Sequence, residues 1–218
     1  QSLAEISIED ALEVDPGGFV WFSGKVVEIV DRNSGFFLYD GTGVIYVRDS
    51  SFYEENSDAV VLGDSWTFVG ARTDYRGLPQ VASIDFFEAS DATFADEPEP
   101  TFATVQDIVE GNVVPGQKYL VYGTATTVVE DFTNYTLVDG DHFIQLHHNT
   151  NNSALADFDG QEVIIEVRPF QWDYTPSYVS YMGTADDVDT DISDAEKAAV
   201  AAKAVRLPFD PEGDGTAE

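Results

Sequence analysis

The chain contains no cysteine, which excludes a disulfide scaffold, a thiolate zinc site and a cysteine nucleophile. Basic residues are scarce: 10 Lys and Arg face 41 Asp and Glu among 218 residues, for a formal charge of −31. Nucleic-acid binding relies on cations that neutralise phosphates. A surface this acidic repels a polyanion unless its few basic residues cluster, and Arg32, Arg48, Arg72 and Arg76 are the only local concentration. Nucleic acid is therefore a disfavoured partner, and the charge speaks first to solubility in an extracellular or saline setting. No run of 18 or more apolar residues occurs, so no helical membrane span is expected. No signal peptide is visible, and Gln1 opens as a processed mature end or a trimmed chain would.

Aromatic residues are plentiful, at 15 Phe, 10 Tyr and 3 Trp, which argues for packed cores rather than a disordered acidic tail. Much of the chain is written twice. "GFFLYDGTGVIYV" (Gly35 to Val47) is echoed by "NYTLVDGDHFIQL" (Asn134 to Leu146), each alternating apolar residues around an Asp-Gly pair. Asp and Gly tolerate the positive φ of a tight turn, so each stretch predicts a β-hairpin. "SIEDALEV" (Ser7 to Val14) and "TVQDIVEG" (Thr104 to Gly111) each predict a short N-capped helix, with a hydroxyl followed three residues on by a carboxylate. "FVWFSGKVVEIV" and "KYLVYGTATTVV" follow, with Gly24 and Gly123 in step; a glycine within a long strand predicts a bulge or bend. The pairs Gly24/Gly123, Asp40/Asp139, Gly63/Gly160 and Asp74/Asp173 are 99, 99, 97 and 99 residues apart. So constant an offset marks an internal duplication.

Each copy reads as a short helix, a long bent strand, a hairpin, and a second hairpin whose tip holds Asp-Tyr. The expected fold is all-β: two tandem five-stranded barrels of the OB type, which need one sharply coiled strand to close. The expected organisation is barrel 1 over residues 1–90, a Pro-containing acidic linker over 91–101, barrel 2 over 102–186, and an acidic stretch, helix and tail over 187–218. Ser193 or Asp194 is the expected cap of that helix.

At these residues the chain resembles the OB-fold modules of secreted and cell-surface Bacteroidota proteins. The family pattern has a helix like "TVADAL", a hairpin like "GFYLQDGTGGIYV", a "L-x-x-GDxVxVxG" strand and a "YNGLxQ" turn. "SIEDAL", "GFFLYDGTGVIYV", "VLGDSWTFVG" and "YRGLPQV" stand at those places in copy 1. Copy 2 departs, with "DGDHFIQL" and "DYTPSYV". The tail "PEGDGTAE" is similar to the entry into a further module of this kind. The resemblance implies the barrel fold and an exported setting; OB barrels serve many functions.

Catalysis finds little support. No Gly-x-Ser-x-Gly elbow occurs, and "HFIQLHH" places only His142 and His148 on one strand face, short of the third ligand a zinc site requires. Asp187, Asp189 and Asp191 resemble the start of a calcium loop, but Ile192 stands where its glycine belongs and Ala198 where its bidentate Glu belongs. At most loose calcium binding is expected there, and no cofactor. Trp21 and Trp66 lie within strand patterns and read as core.

OB barrels bind across the face of strands 2 and 3, framed by the loops between strands 1–2 and 4–5. In copy 1 those loops supply Arg32, Asn33, Tyr75 and Arg76; in copy 2 they supply Phe132, Trp172, Tyr174 and Tyr178. Aromatics at loop tips suit stacking on a sugar or anchoring a protein contact. The expected function is a non-catalytic, exported or cell-surface binding module for a protein or glycan, with homo-assembly open to it. A structural spacer in a surface stalk or fibre is the alternative, and an accessory nucleic-acid binder of a secreted nuclease a further one.

Overall fold

The computed structural model describes residues 3–30, 35–75, 77–129, 133–146, 151–170, 178–181 and 189–198, the side chains of 133–134, 151–154 and 178–181 excepted. The first copy runs α1 (Ile8–Leu12), β1 (Phe19–Val30), β2 (Gly35–Tyr39), β3 (Val44–Arg48), α2 (Ser50–Asn56), β4 (Ser65–Tyr75) and β5 (Leu78–Ala89). The second runs β6 (Thr101–Ala103), α3 (Val105–Glu110), β7 (Tyr119–Val129), β8 (Thr133–Asp139), β9 (His142–Leu146), a 3-10 segment (Asn151–Phe158), β10 (Glu162–Phe170) and β11 (Tyr178–Tyr181).

Both copies close as OB-type barrels. In the first the strand order is β1-β2-β3-β5-β4 and returns to β1; in the second it is β7-β8-β9-β11-β10, closed by β10 against β7. The third and fifth strands pair in parallel in each, Tyr46 with Gln80 and Tyr178 with Gln145. The duplication reaches individual hydrogen bonds. Gly63 N donates to Val26 O and Val26 N to Asp64 O, while Gly160 N donates to Ala125 O and Ala125 N to Gln161 O.

The predicted turns form for the predicted reason, with Gly41 and Gly140 at φ of +99° and +58°. Asp40 does more than turn the chain: its carboxylate accepts from Thr42 N at 2.8 Å and, reaching α1, from Ile8 N at 2.8 Å. Ser7 caps α1 by accepting from Asp10 N at 3.0 Å. Thr104 and Asp107 form a reciprocal capping box on α3, which ends on Gly111 in the left-handed conformation. Gly123 owes its place to close approach: a Cβ there would lie 2.7 Å from Leu137 Cγ. In β1 the register break falls after Gly24, between Val26 and Glu28.

The barrels differ in their filling. Phe22, Phe36, Phe52 and Phe68 fill the first, with ring centroids 5.6–6.3 Å apart. Val121, Leu137, Ile144, Val163 and Ile165 give the second an aliphatic core. The sequence pattern gave no sign of α2, which is only seven residues long and is held by tertiary contacts. Asp49 caps it by accepting from Phe52 N at 3.1 Å and also accepts from Ile84 N of β5 at 2.9 Å, while Phe52 enters the core. The 3-10 segment stands at the same place in the second barrel and buries Leu155.

Trp66 packs over one end of the first core, near Phe68 and Phe87. Trp21 corrects the expectation of core burial: it sits between inward Val20 and Phe22, and the two-residue strand period turns it to the outer face opposite Val69. Ser193 caps the helical turn at 194–198, Glu196 N donating to its hydroxyl at 3.2 Å.

Candidate functional site

Alternation along β2 and β3 sends Phe36, Leu38, Ile45 and Val47 into the core, leaving Phe37, Tyr46 and Arg48 on the outer face. In an OB barrel this is the face that meets ligand. Here it is covered. Phe37 and Tyr46 are each 2% exposed, their rings 4.7 Å apart, and they cluster with Val30, Leu78 and Phe170 of β10. Gly35 lets this happen: a Cβ at that position would stand 2.4 Å from the Tyr46 hydroxyl.

Beside Phe170, Arg168 is 1% exposed and tied to both barrels. Its Nε donates to Glu28 of β1 at 2.8 Å, and its two terminal nitrogens donate to the two oxygens of Glu97, each at 2.8 Å. A further bond at 2.8 Å reaches the Gly116 carbonyl, and the guanidinium carbon lies 4.7 Å from the Phe37 ring centroid. Burial alone would lower the arginine pKa; the carboxylates of Glu97 and Glu28 outweigh it and hold the value above the ordinary one. A cation so desolvated is tolerable only with such complete pairing.

The corresponding face of the second barrel is different. Leu137, Ile144 and Leu146 point inward, so Thr136 and Val138 of β8 and Phe143 and Gln145 of β9 lie on the outer face, where Thr136 is buried and Val138 and Gln145 are half-buried. Val138 stands opposite Phe143, and Phe143 is 45% exposed. Val129, at the end of β7, is 73% exposed. Residues 130–132, between β7 and β8, and residues 171–177, between β10 and β11, lie outside the described residues.

Of the residues singled out in the sequence, Tyr75 is placed at the interbarrel contact: half-buried, its ring is 6.4 Å from Phe170 and 5.9 Å from the Arg48 guanidinium. Tyr178 pairs through its backbone with Phe170 and Gln145, its side chain lying outside the described residues. Arg32, Asn33, Arg76, Phe132, Trp172 and Tyr174 also lie outside them. Sequence reasoning missed Arg168, Glu28, Glu97 and Phe37. One signal was available: "GFFLY" is apolar on both faces, the mark of a strand covered on both.

Asp189 pairs through its backbone with Ile164, and its carboxylate accepts from Asp191 N at 2.9 Å; Asp187 lies outside the described residues. Among the described residues, no group of three or more His, Asp or Glu side chains could hold a metal ion. No helix among them is long and apolar enough to cross a membrane. On β7, burial and the nearby Glu162 carboxylate push the Tyr122 phenol up to about 12. Its hydroxyl donates to Glu162 at 2.5 Å, and Lys197 of the C-terminal turn pairs with the same carboxylate at 2.6 Å.

No protein-family model matches the chain, and no curated protein matches it. Among solved structures, the hypothetical protein ygiW from E. coli is 15% identical, with a TM-score of 0.33 over 41% of this chain and 91% of its own. A chain of the S. pombe Stn1–Ten1 complex is 14% identical, with a TM-score of 0.31 over 42% of this chain and 80% of its own. The Ifi202 HINa domain, solved with 20-bp double-stranded DNA, is 11% identical, with a TM-score of 0.40 over 76% and 100%. These neighbours are OB-fold proteins, and the fold itself rests on the strand order described above.

Proposed function

We propose that this protein is a non-catalytic binding module, exported or displayed at the cell surface in the manner of the Bacteroidota modules it resembles. Its contact surface is the β8–β9 face of the second barrel, with the aromatic residues of the flanking connections. One observation carries this reading: the two barrels share a fold, but among the described residues the aromatics on this face are buried in the first and exposed in the second. Phe170 and Arg168 fill the face of the first, whereas the second offers Phe143 at 45% exposure beside Val138. An exposed phenylalanine between polar neighbours suits the apolar face of a sugar ring or an apolar side chain of a protein. The net charge of −31 favours a protein or glycan over nucleic acid.

The test compares the full chain with F143S and with F86S, whose target is an exposed phenylalanine on the first barrel (46%). Each is applied to a glycan array, to extracellular protein from the producing cells and to single-stranded DNA. Ligands lost by F143S alone support the reading. Nanomolar DNA binding, or retention of every ligand by F143S, overturns it.

The pairing of the barrels through Arg168 favours a second reading, a spacer in a surface stalk. In that case F143S is silent in all three assays, and the two-barrel unit keeps one fixed length in solution scattering.

A further inference from the structure

Next to the interbarrel contact, α1 and the β2–β3 hairpin face residues 97–101 and 114–118 across a cleft of about 440 Å³. That volume lies in the usual range for ligand sites, roughly 300–1,000 Å³. Its apolar surface comes from Leu12, Val44 and Val114, the last of which is 54% exposed. Five charged side chains stand around it. Two are neutralised: Glu97 holds Arg168, and Lys118 pairs with Glu166 at 2.8 Å. The carboxylates of Glu9, Glu13 and Glu99 remain exposed, and none of them forms an ion pair among the described residues.

The cleft thus joins an apolar wall to an uncompensated negative rim. A divalent ion is a poor fit, since no three carboxylates among the described residues converge closely enough to hold one. An extended occupant, presenting several cations and apolar groups along its length, matches both features. We infer that this cleft is a second binding site, and that it takes a basic amphipathic segment of a protein partner, with lysine or arginine reaching Glu9, Glu13 and Glu99 and an aliphatic side chain against Val114 and Leu12. The site stands apart from the β8–β9 face and does not depend on it.

The probe is a fluorescein-labelled hexapeptide of alternating leucine and lysine, titrated with the full chain and read by anisotropy at physiological salt. Saturable binding is expected. The variant E9Q/E13Q/E99Q should weaken it about tenfold, as three exposed pairings of modest strength would. E54Q/E55Q/D58N removes as many exposed charges around α2 and should change it by less than about twofold. A serine–lysine peptide should bind markedly less well than the leucine–lysine one. F143S should bind the peptide as the parent does, so the two sites succeed or fail separately. The inference is overturned by any of four results: no saturable binding, equal losses in the two triple variants, equal binding of the serine–lysine peptide, or a loss in F143S.

Discussion

The guanidinium carbon of Arg168, in the second barrel, stands 4.7 Å from the ring centroid of Phe37, in the first. That contact joins the last long strand of one barrel to the ligand face of the other. It converts a surface that OB barrels commonly use for recognition into an internal joint. The two barrels thus share a fold but differ in how much of this face each one buries.

Removing Arg168 should be costly. R168A leaves the Glu28 and Glu97 carboxylates facing a buried apolar cluster without a cation. A loss of about 3–5 kcal/mol is expected in denaturant unfolding, as for other broken buried pairs. R168K, which keeps the charge but not the fork that grips both oxygens of Glu97, should fall between R168A and the parent. A radius of gyration that rises in R168A would show the barrels separating; a loss below about 1 kcal/mol would show the joint to be dispensable.

Asp40 should matter beyond its turn. D40A deletes the acceptor for Thr42 N and for Ile8 N together, so both the hairpin and the start of α1 lose a partner. The expected cost is about 1–2 kcal/mol by thermal or denaturant unfolding. D40N, which keeps one carbonyl oxygen, should cost less.

Tyr122 provides a pH signature. Ultraviolet titration of the parent against Y122F should show one phenol ionising at about 12, well above the ordinary 10.0. E162Q removes the carboxylate that adds to the burial effect and should bring that phenol partway back. The folded chain holds the phenolic proton more tightly than the unfolded chain does. Its contribution to stability is thus complete below pH 10 and lost as pH rises from 10 to about 12. Glu162 works in the opposite direction: hydrogen bonds from Lys197 and Tyr122 lower its pKa, so its contribution is present above the ordinary 4.5 and lost as pH falls through the lowered value. A Y122F titration indistinguishable from the parent near pH 12 would refute the assignment.

The sequence by itself determined the parts that rest on neighbours in the chain. Alternation set the strands, Asp-Gly set the β2–β3 and β8–β9 turns, and Ser7 and Thr104 set the helix starts. A near-constant offset of 97 to 99 residues between landmarks marked the tandem duplication. The helix α2 was illegible because its cap and its buried Phe52 draw on β5 and on the core rather than on local periodicity. Which barrel has this face covered was decided only by tertiary structure. Arg168 and Glu28 are 140 positions apart, and nothing near either residue announces that they meet. Their meeting depends on how two closed barrels dock, and docking responds to whole surfaces: Gly35 making room for Tyr46, Phe37 apolar on the outside, Glu97 arriving from the connecting segment. Local pattern specifies which way each side chain points; the energy of burying a charged joint depends on every partner being present at once.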